Sequence, residues 1–318
     1  MTTLGALVVL FHPTADELAR VVALRERCDG LTVVDNSPQV NPAVAAQLAA
    51  HDITLLYNGN RNGIAGALND GLASQFEQGM DAVALFDQDS VVPAGYFPAM
   101  RDTCAALGTG AFMAGPRIFD ENDQRFLPEL ASDGLTVQRL KLHEGVAPQR
   151  CAFLISSGCL VSRKAFETLG RFDEALFIDH VDTEYCLRAL ARNVPLYVVP
   201  SLILSHRIGE RRRHKLGPFH MTATHHPWYR RYYSARNAMQ LGLQYGMRFP
   251  VAIVPNLLTL WQIAQVLLLE EDKLAKLNGI LLGVSDGLFG RLGPLERTRP
   301  ALAARFAHSA SAHRTQYE

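Results

Sequence analysis

An excess of charge of either sign is missing from this 318-residue chain: 31 Lys plus Arg stand against 31 Asp plus Glu. That balance gives no reason to expect a nucleic-acid partner. Paired cysteines are missing too. Cys28, Cys104, Cys151, Cys159 and Cys186 are odd in number and irregular in spacing, and no CxxC occurs. This excludes a disulfide framework and a cysteine zinc site. A reducing compartment follows, with Cys28, Cys104 and Cys186 expected in apolar packing. No basic segment, apolar core and small-residue cleavage site open the sequence, so no secretory signal is expected. No internal repeat is found. His12-Pro13-Thr14 follows the first apolar run where a dinucleotide fold would carry GxGxxG, and GxxxxGK[ST] occurs nowhere. Two common glycine-rich phosphate loops are thereby excluded.

What is present is a hydrophobic fraction of 48%, in a chain long enough to bury a substantial core. Short apolar runs at residues 4–11, 31–34, 53–57 and 82–86 read as buried parallel strands. Helical patterns at 16–28, 42–50 and 65–77 separate them. The alternation predicts an α/β unit with a mostly parallel sheet. Further strands are expected at 112–114 and 196–199, with Gly115-Pro116-Arg117 as a turn and 119–133 as an irregular insertion. A helix is expected at 183–191. Ser156-Ser157-Gly158 interrupts an apolar run and permits close approach of a ligand or a backbone.

Beyond residue 205 the character changes. Arg207, Arg211, Arg212, Arg213, His214 and Lys215 form a basic run, read as a solvated loop or a segment facing phosphates or an anionic surface. Residues 249–269 carry no charge. Their length meets the roughly 20 residues that a bilayer span needs, but Pro250, Pro255 and scattered amides fit a surface-bound element or a core or dimer helix as well. A second apolar stripe covers 274–288, and the tail after Pro300 has little to pack. The expected division is a catalytic domain over 1–240 and a helical extension over 241–318.

Polar residues cluster just after the strands, at Asp35, Asn60 and Asp87. Ligands of open parallel sheets bind at this carboxyl edge. Asp87-Gln88-Asp89 offers two hard carboxylates to one divalent ion, Mg²⁺ or Mn²⁺, with a capped turn as the structural alternative. Asp179, Asp182 and Glu184 form a second acidic locus, suited to proton abstraction or to capping a helix. His206, after an apolar strand, is a candidate ligand.

These motifs, in this order, resemble the inverting GT-A glycosyltransferases of family 2, and among them bacterial rhamnosyltransferases. The resemblance implies a GT-A fold: a Rossmann-like, mostly parallel sheet with a helical C-terminal extension. Val33-Val34-Asp35-Asn36-Ser37 matches the family's nucleoside motif, and the segment from Asn60 through Asn62, Gly63 and Asn69 lies near its donor. Phe11 and Gln88 are placed with the donor as well. Asp89 then becomes the main metal ligand, with Asp87 nearer the ribose and His206 assisting. The family's Glu-Asp pair falls on Val181-Asp182, which makes Asp182 the base and leaves Asp179 or Glu184 to share that role. Arg236, in Arg231-Tyr232-Tyr233-Ser234-Ala235-Arg236-Asn237, is expected to face the diphosphate. Leu154-Ile155-Ser156-Ser157-Gly158-Cys159 and His206-Arg207-Ile208-Gly209 narrow the likeness to rhamnosyltransferases of rhamnolipid synthesis. That likeness implies dTDP-L-rhamnose as donor and mono-rhamnolipid as acceptor. It also implies peripheral attachment to the inner membrane of a bacterial cytoplasm, with a second copy of the chain as the other candidate for the apolar stripes. A polysaccharide acceptor, a sugar-phosphate nucleotidyltransferase and a non-catalytic sugar-binding protein are the competing readings.

Overall fold

A computed structural model describes residues 2–132, 136–142, 147–206, 211–216 and 219–304, with residues 206, 211–216 and 219–224 described by backbone alone. In chain order the elements are β1 (Leu4–Leu10), α1 (Ala15–Leu24), β2 (Gly30–Asp35), α2 (Pro42–Ala49), β3 (Thr54–Tyr57), α3 (Gly63–Glu77), β4 (Ala82–Asp87), α4 (Tyr96–Leu107) and β5 (Met113–Asp120). Then follow β6 (Arg125–Phe126), β7 (Leu130–Ser132), β8 (Val137–Arg139), β9 (Gln149–Cys151), β10 (Leu160–Ser162), α5 (Arg163–Leu169), α6 (Val181–Ala191) and β11 (Leu196–His206). The chain continues through β12 (Arg211–Leu216), β13 (Phe219–Thr224), α7 (Trp228–Tyr245), α8 (Val254–Leu269), α9 (Lys273–Leu288) and α10 (Leu295–Thr298).

These elements form two compact units. The first holds Met1–Asp173, Val181–Ile208 and Arg248–Val251; the second holds Glu174–His180, Gly209–Met247 and Ala252–Glu318. The division therefore differs from the expected cut at residue 240, which would split α7. Helix α7 packs along α9, so it belongs with the extension.

The first unit is an α/β layer structure. Its main sheet runs β3-β2-β1-β4-β10-β5-β11-β9, with β6 beside β5. Strands β3, β2, β1 and β4 are mutually parallel, while β10 runs antiparallel to β4 and β5. All seven residues of β1 are buried, as expected for a central parallel strand covered on both faces. Leu4, Val8, Leu18, Val33, Phe86 and Phe97 belong to one core cluster. Helix α1 starts at a capping box in which Thr14 and Glu17 satisfy each other's backbone amides. Helix α3 lies so close to β1 that a Cβ added at Gly71 would come within 2.2 Å of Leu7 Cδ1.

Gly115-Pro116-Arg117 is strand rather than turn. Two features let β5 continue through a proline. Strand β10 pairs only as far as Ala114, and the β11 ladder shifts register between Val199 and Ile203, just past the Val199–Pro116 pair.

The second unit is mainly helical and also holds the antiparallel pair β12–β13. Gly279, Gly283 and Gly287 of α9 face main-chain oxygens of Trp228, Tyr232 and Arg236 on α7. An added Cβ would meet those oxygens at 2.8, 2.3 and 2.4 Å. The matched four-residue steps mean that the two helices run in the same direction. Among the described residues, one helical stretch, Pro250–Leu269, is long and apolar enough to cross a membrane by length and composition.

Candidate active site

The chain passes from β3 across to the other side of β1 to make β4, so the carboxyl ends of β1 and β4 sit at a switch in strand order. The loops leaving these ends are tied together. Phe11 N donates to Gln88 Oε1 at 2.6 Å, linking the loop after β1 to the Asp87-Gln88-Asp89 motif. Asp35 ends β2 and accepts from Ser37 N at 2.9 Å, and Ser37 Oγ accepts from His12 N at 2.8 Å. Asn36 Oδ1 accepts from Asn58 Nδ2 at 2.7 Å and from Asn60 N at 3.1 Å, and Asn36 Nδ2 donates to Asn60 Oδ1 at 3.1 Å. Phe11, Asp35, Asn36, Asn60, Asp87 and Gln88 thus stand around one sheet edge.

Asn58 was not expected here. It is buried, and its Oδ1 has no hydrogen-bond partner. In sequence it is half of an Asn-Gly pair, which reads as a turn; its position right after β3 was the available signal. Asn60 and Gly63 both adopt positive φ, 57° and 61°, and carry the chain through the tight entry to α3. Asn62 directly precedes that helix, and its carbonyl accepts from Gly66 N. Asn69 does something else. Its amide pairs with both main-chain groups of Phe172, at 2.7 and 3.0 Å, and is fully buried. It fastens α3 to the segment before α6.

Asp87 is the last residue of β4 and is half-buried, while Asp89 is exposed. The turn is closed by Ser90 N donating to the Asp87 carbonyl at 3.1 Å. Among the described residues no group of three His, Cys, Asp or Glu side chains gathers to hold a metal. The side chain of His206 lies outside the described residues, as do residues 207–210 of the basic run. The His206 backbone ends β11, and an isolated bridge pairs its neighbour Ser205 with Val91, two residues past Asp89.

Asp182 lies in the first turn of α6. Its Oδ1 accepts from Thr183 N at 2.7 Å and its Oδ2 from Ser156 N at 3.3 Å. The next residue, Ser157, is buried and shares a 2.7 Å hydrogen bond with Ser90. A continuous path therefore joins Asp182, through Ser156 and Ser157, to the residue beside Asp89. Gly158 makes the path sterically feasible. Its φ is +79°, and a Cβ there would come within 2.8 Å of Pro116.

Two other expected site residues have structural partners. Glu184 is only 2% exposed and pairs with Arg188, whose Nη1 also holds the carbonyls of Leu169 and Arg171. This pair anchors α6. Arg236 is fully buried and donates to the carbonyls of Gly293, Ala175 and Leu176 and to Asn237 Oδ1. A guanidinium so engaged is an anchor within the second unit. Asp179, also in the second unit, accepts two hydrogen bonds from Arg230, at 2.8 and 2.5 Å. All five cysteines are buried and unbridged. Burial pushes the thiols of Cys28 and Cys104 up to about 11 and that of Cys151 up to about 12.

Comparison with known proteins agrees with this architecture. The profile described as Glycosyl transferase family 2 matches residues 8–170. The dTDP-rhamnosyl transferase RfbF of Shigella flexneri is 30% identical over 295 residues, 91% of this chain and 96% of that protein. Among solved structures, S. aureus TarS 1-349 superposes with a TM-score of 0.55 at 10% identity, covering 90% of this chain and 81% of that one. GalNAc-T7, solved with UDP, GalNAc and Mn2+, gives a TM-score of 0.51 at 15% identity, covering 77% of this chain and 52% of that one. These two show the shared fold, and the sequence matches go further: the chain belongs to glycosyltransferase family 2.

Proposed function

We propose that this glycosyltransferase moves L-rhamnose from dTDP-L-rhamnose to an acceptor hydroxyl, with inversion at the anomeric carbon. The observation that carries the reading is the tie between Asp182 and the Asp87-Gln88-Asp89 turn through Ser156, Ser157 and Ser90. The extended likeness to a dTDP-rhamnosyl transferase supports the choice of donor. Asp35, Asn36, Asn58 and Asn60 are assigned to the nucleoside, with the half-exposed Phe11 ring beside them.

Asp182 takes the proton of the acceptor hydroxyl as that oxygen attacks the anomeric carbon. The bond from that carbon to the phosphate oxygen breaks, and its electron pair leaves with dTDP. One displacement inverts the centre. The amide of Ser156 orients the carboxylate for this task. Asp89 and Asp87 are two hard oxygen donors, which fit a divalent ion that takes further ligands from phosphate. Such an ion, Mg²⁺ or Mn²⁺, held by Asp89 and Asp87, would supply positive charge to the departing diphosphate.

Mono-rhamnolipid and a cell-surface polysaccharide both offer a suitable hydroxyl. Exposed Leu257, Leu258, Leu260 and Trp261 on α8 favour an acceptor delivered at a lipid surface and peripheral attachment to the inner membrane. The test is a product assay with several nucleotide sugars and both acceptors, analysed by mass and linkage. Rhamnosyl transfer from the dTDP donor alone is expected. Transfer from UDP-sugars with none from dTDP-rhamnose would reject the reading.

A further inference from the structure

The first unit holds a largely apolar cavity of about 100 Å³ beside the Ser156 loop. Ile118 of β5, Val198 of β11 and Leu127, between β6 and β7, line it. Phe153, Leu154 and Ile155 supply more of the wall. Gly115 leaves the room that Leu154 occupies: a Cβ there would come within 2.9 Å of Leu154 Cδ2. Leu154 is in turn held to α6, where Cys186 Sγ lies 3.4 Å from its amide nitrogen and 3.5 Å from its carbonyl oxygen. Cys186 stands one turn past Asp182 on that helix. Nearer still, Ile155 and Ser157 both line the cavity, and Ser156 between them gives its N–H to Asp182 Oδ2 at 3.3 Å. The cavity therefore adjoins the loop that orients the carboxylate assigned as base, and all of it belongs to one unit.

Two polar side chains reach the lining, and both have partners. Ser157 Oγ shares its 2.7 Å bond with Ser90, and Glu129 Oε1 accepts from Arg117 Nε at 3.4 Å. A carboxylate accepts through both oxygens, so Glu129 can also take one ligand hydroxyl. The rest of the wall is hydrocarbon, and a hydroxyl pressed against it would lose its water without gaining a partner. Leu127, Phe153 and Ile155 are only half-buried, and the cavity opens to solvent beside them. An apolar cavity of about 150 Å³ holds a benzene ring. The smaller cavity here takes fewer carbons, a methyl and the ring edge that bears it, and has no room for an alkyl chain.

We propose that this cavity receives the methyl group of a 6-deoxyhexose at the end of the acceptor, and that Leu127, Ile155 and Val198 select for it. The inference rests on the transferase reading, in which Asp182 takes the proton of a hydroxyl on the same sugar. It narrows the acceptor whether that sugar is carried by a lipid or by a polysaccharide. The methyl fills the hydrocarbon wall and a neighbouring hydroxyl donates to Glu129. A fully hydroxylated hexose in the same place would bury its 6-hydroxyl unpaired.

The experiment compares methyl α-L-rhamnoside with methyl α-L-mannoside, which differ by the 6-hydroxyl alone, as acceptors for dTDP-L-rhamnose. kcat/KM is expected to favour the rhamnoside by at least about tenfold. Leu127→Trp, which fills the cavity, should raise KM for the rhamnoside about tenfold while dTDP affinity holds. Leu127→Asn offers the 6-hydroxyl a partner and should cut the preference by about fivefold. If neither Leu127 variant folds, Val198→Thr, which places a hydroxyl in the wall, carries the same test. Equal kcat/KM for the two glycosides overturns the proposal, as does an unchanged preference in every folded variant. Saturation-transfer NMR on the full chain, with dTDP and methyl α-L-rhamnoside, is read in parallel. The C6 methyl should take the largest saturation in the wild type and lose that lead in L127W. A methyl saturated no more than the ring protons overturns the cavity's role. Absence of any rhamnosyl transfer, to these glycosides or to longer acceptors, rejects the proposed function, while the NMR still decides whether the cavity holds the methyl.

Discussion

The two units bury different things. In the first, the core cluster about the sheet is aliphatic and aromatic, most polar groups of the site stand on loops at one sheet edge, and the buried charges are acids: Asp35, Asp120 and Glu184. In the second, charges are sunk among the helices: Arg231, Arg236, Glu270, Lys276 and Asp286 are all buried. Asp286 accepts from Arg299 and from Tyr232, and Glu270 joins Arg231 to Lys276. Apolar burial is non-directional and tolerates small shifts, whereas a buried ionic network is stable only when every member keeps its partner. The first unit can therefore vary its loops without losing its core. Altering one buried charge in the second threatens the packing itself.

The largest effect expected is on stability of the second unit. Glu270→Ala leaves Arg231 and Lys276 buried without their acid, which costs about 3–5 kcal/mol. Urea unfolding measures it, and a wild-type midpoint would erase the contrast between the units. Next comes Asp182→Asn, which keeps size and removes the proton acceptor. Single-turnover transfer should fall by about 10²–10⁴-fold, with the unfolding midpoint unchanged. Normal transfer by D182N together with collapse in Asp179→Asn would move the base into the second unit. A smaller change is expected for Ser157→Ala, which removes the bond to Ser90 and about 1 kcal/mol of orientation. Transfer should slow by about fivefold while dTDP affinity holds; loss of dTDP binding instead would place Ser157 with the donor. Smallest of all is the response to thiol reagents. Raised thiol values keep the cysteines protonated at pH 8, so native labelling should be slow and activity insensitive to reductant. Rapid labelling of Cys28 would show that the first unit's interior opens readily.

The contrast also marks what the sequence discloses. Strands β1 to β4 and the loops after them were legible because a continuous apolar run ending in Asp or Asn has few other uses in an α/β chain. Asp35, Asn36, Asn60, Asp87 and Gln88 come together as the strand order requires. The structural partners of Arg236 and Glu184 were not legible, because a charge on a helix reads as surface or site. The partners that bury Arg236 lie about sixty residues away in sequence, at Ala175, Leu176 and Gly293. The partner of Asn69 was hidden for a related reason: nothing local indicates that its amide mimics a neighbouring strand for Phe172. Pro116 reads as a turn unless the register shift in β11, distant in sequence, is known.

The glycines of α9 bear on how the second unit moves. Contacts at Gly279, Gly283 and Gly287 are with α7 main chain, where no rotamer can yield. Sliding α9 along α7 by less than one four-residue step, about 6 Å, would drive a side chain into a carbonyl oxygen. The pair has no soft intermediate register and behaves as a locked strut. Arg230, Arg231 and Ser234 are mounted on that strut. The entropy of arranging them is spent during folding, so the three side chains keep their places relative to one another as long as the two helices stay packed.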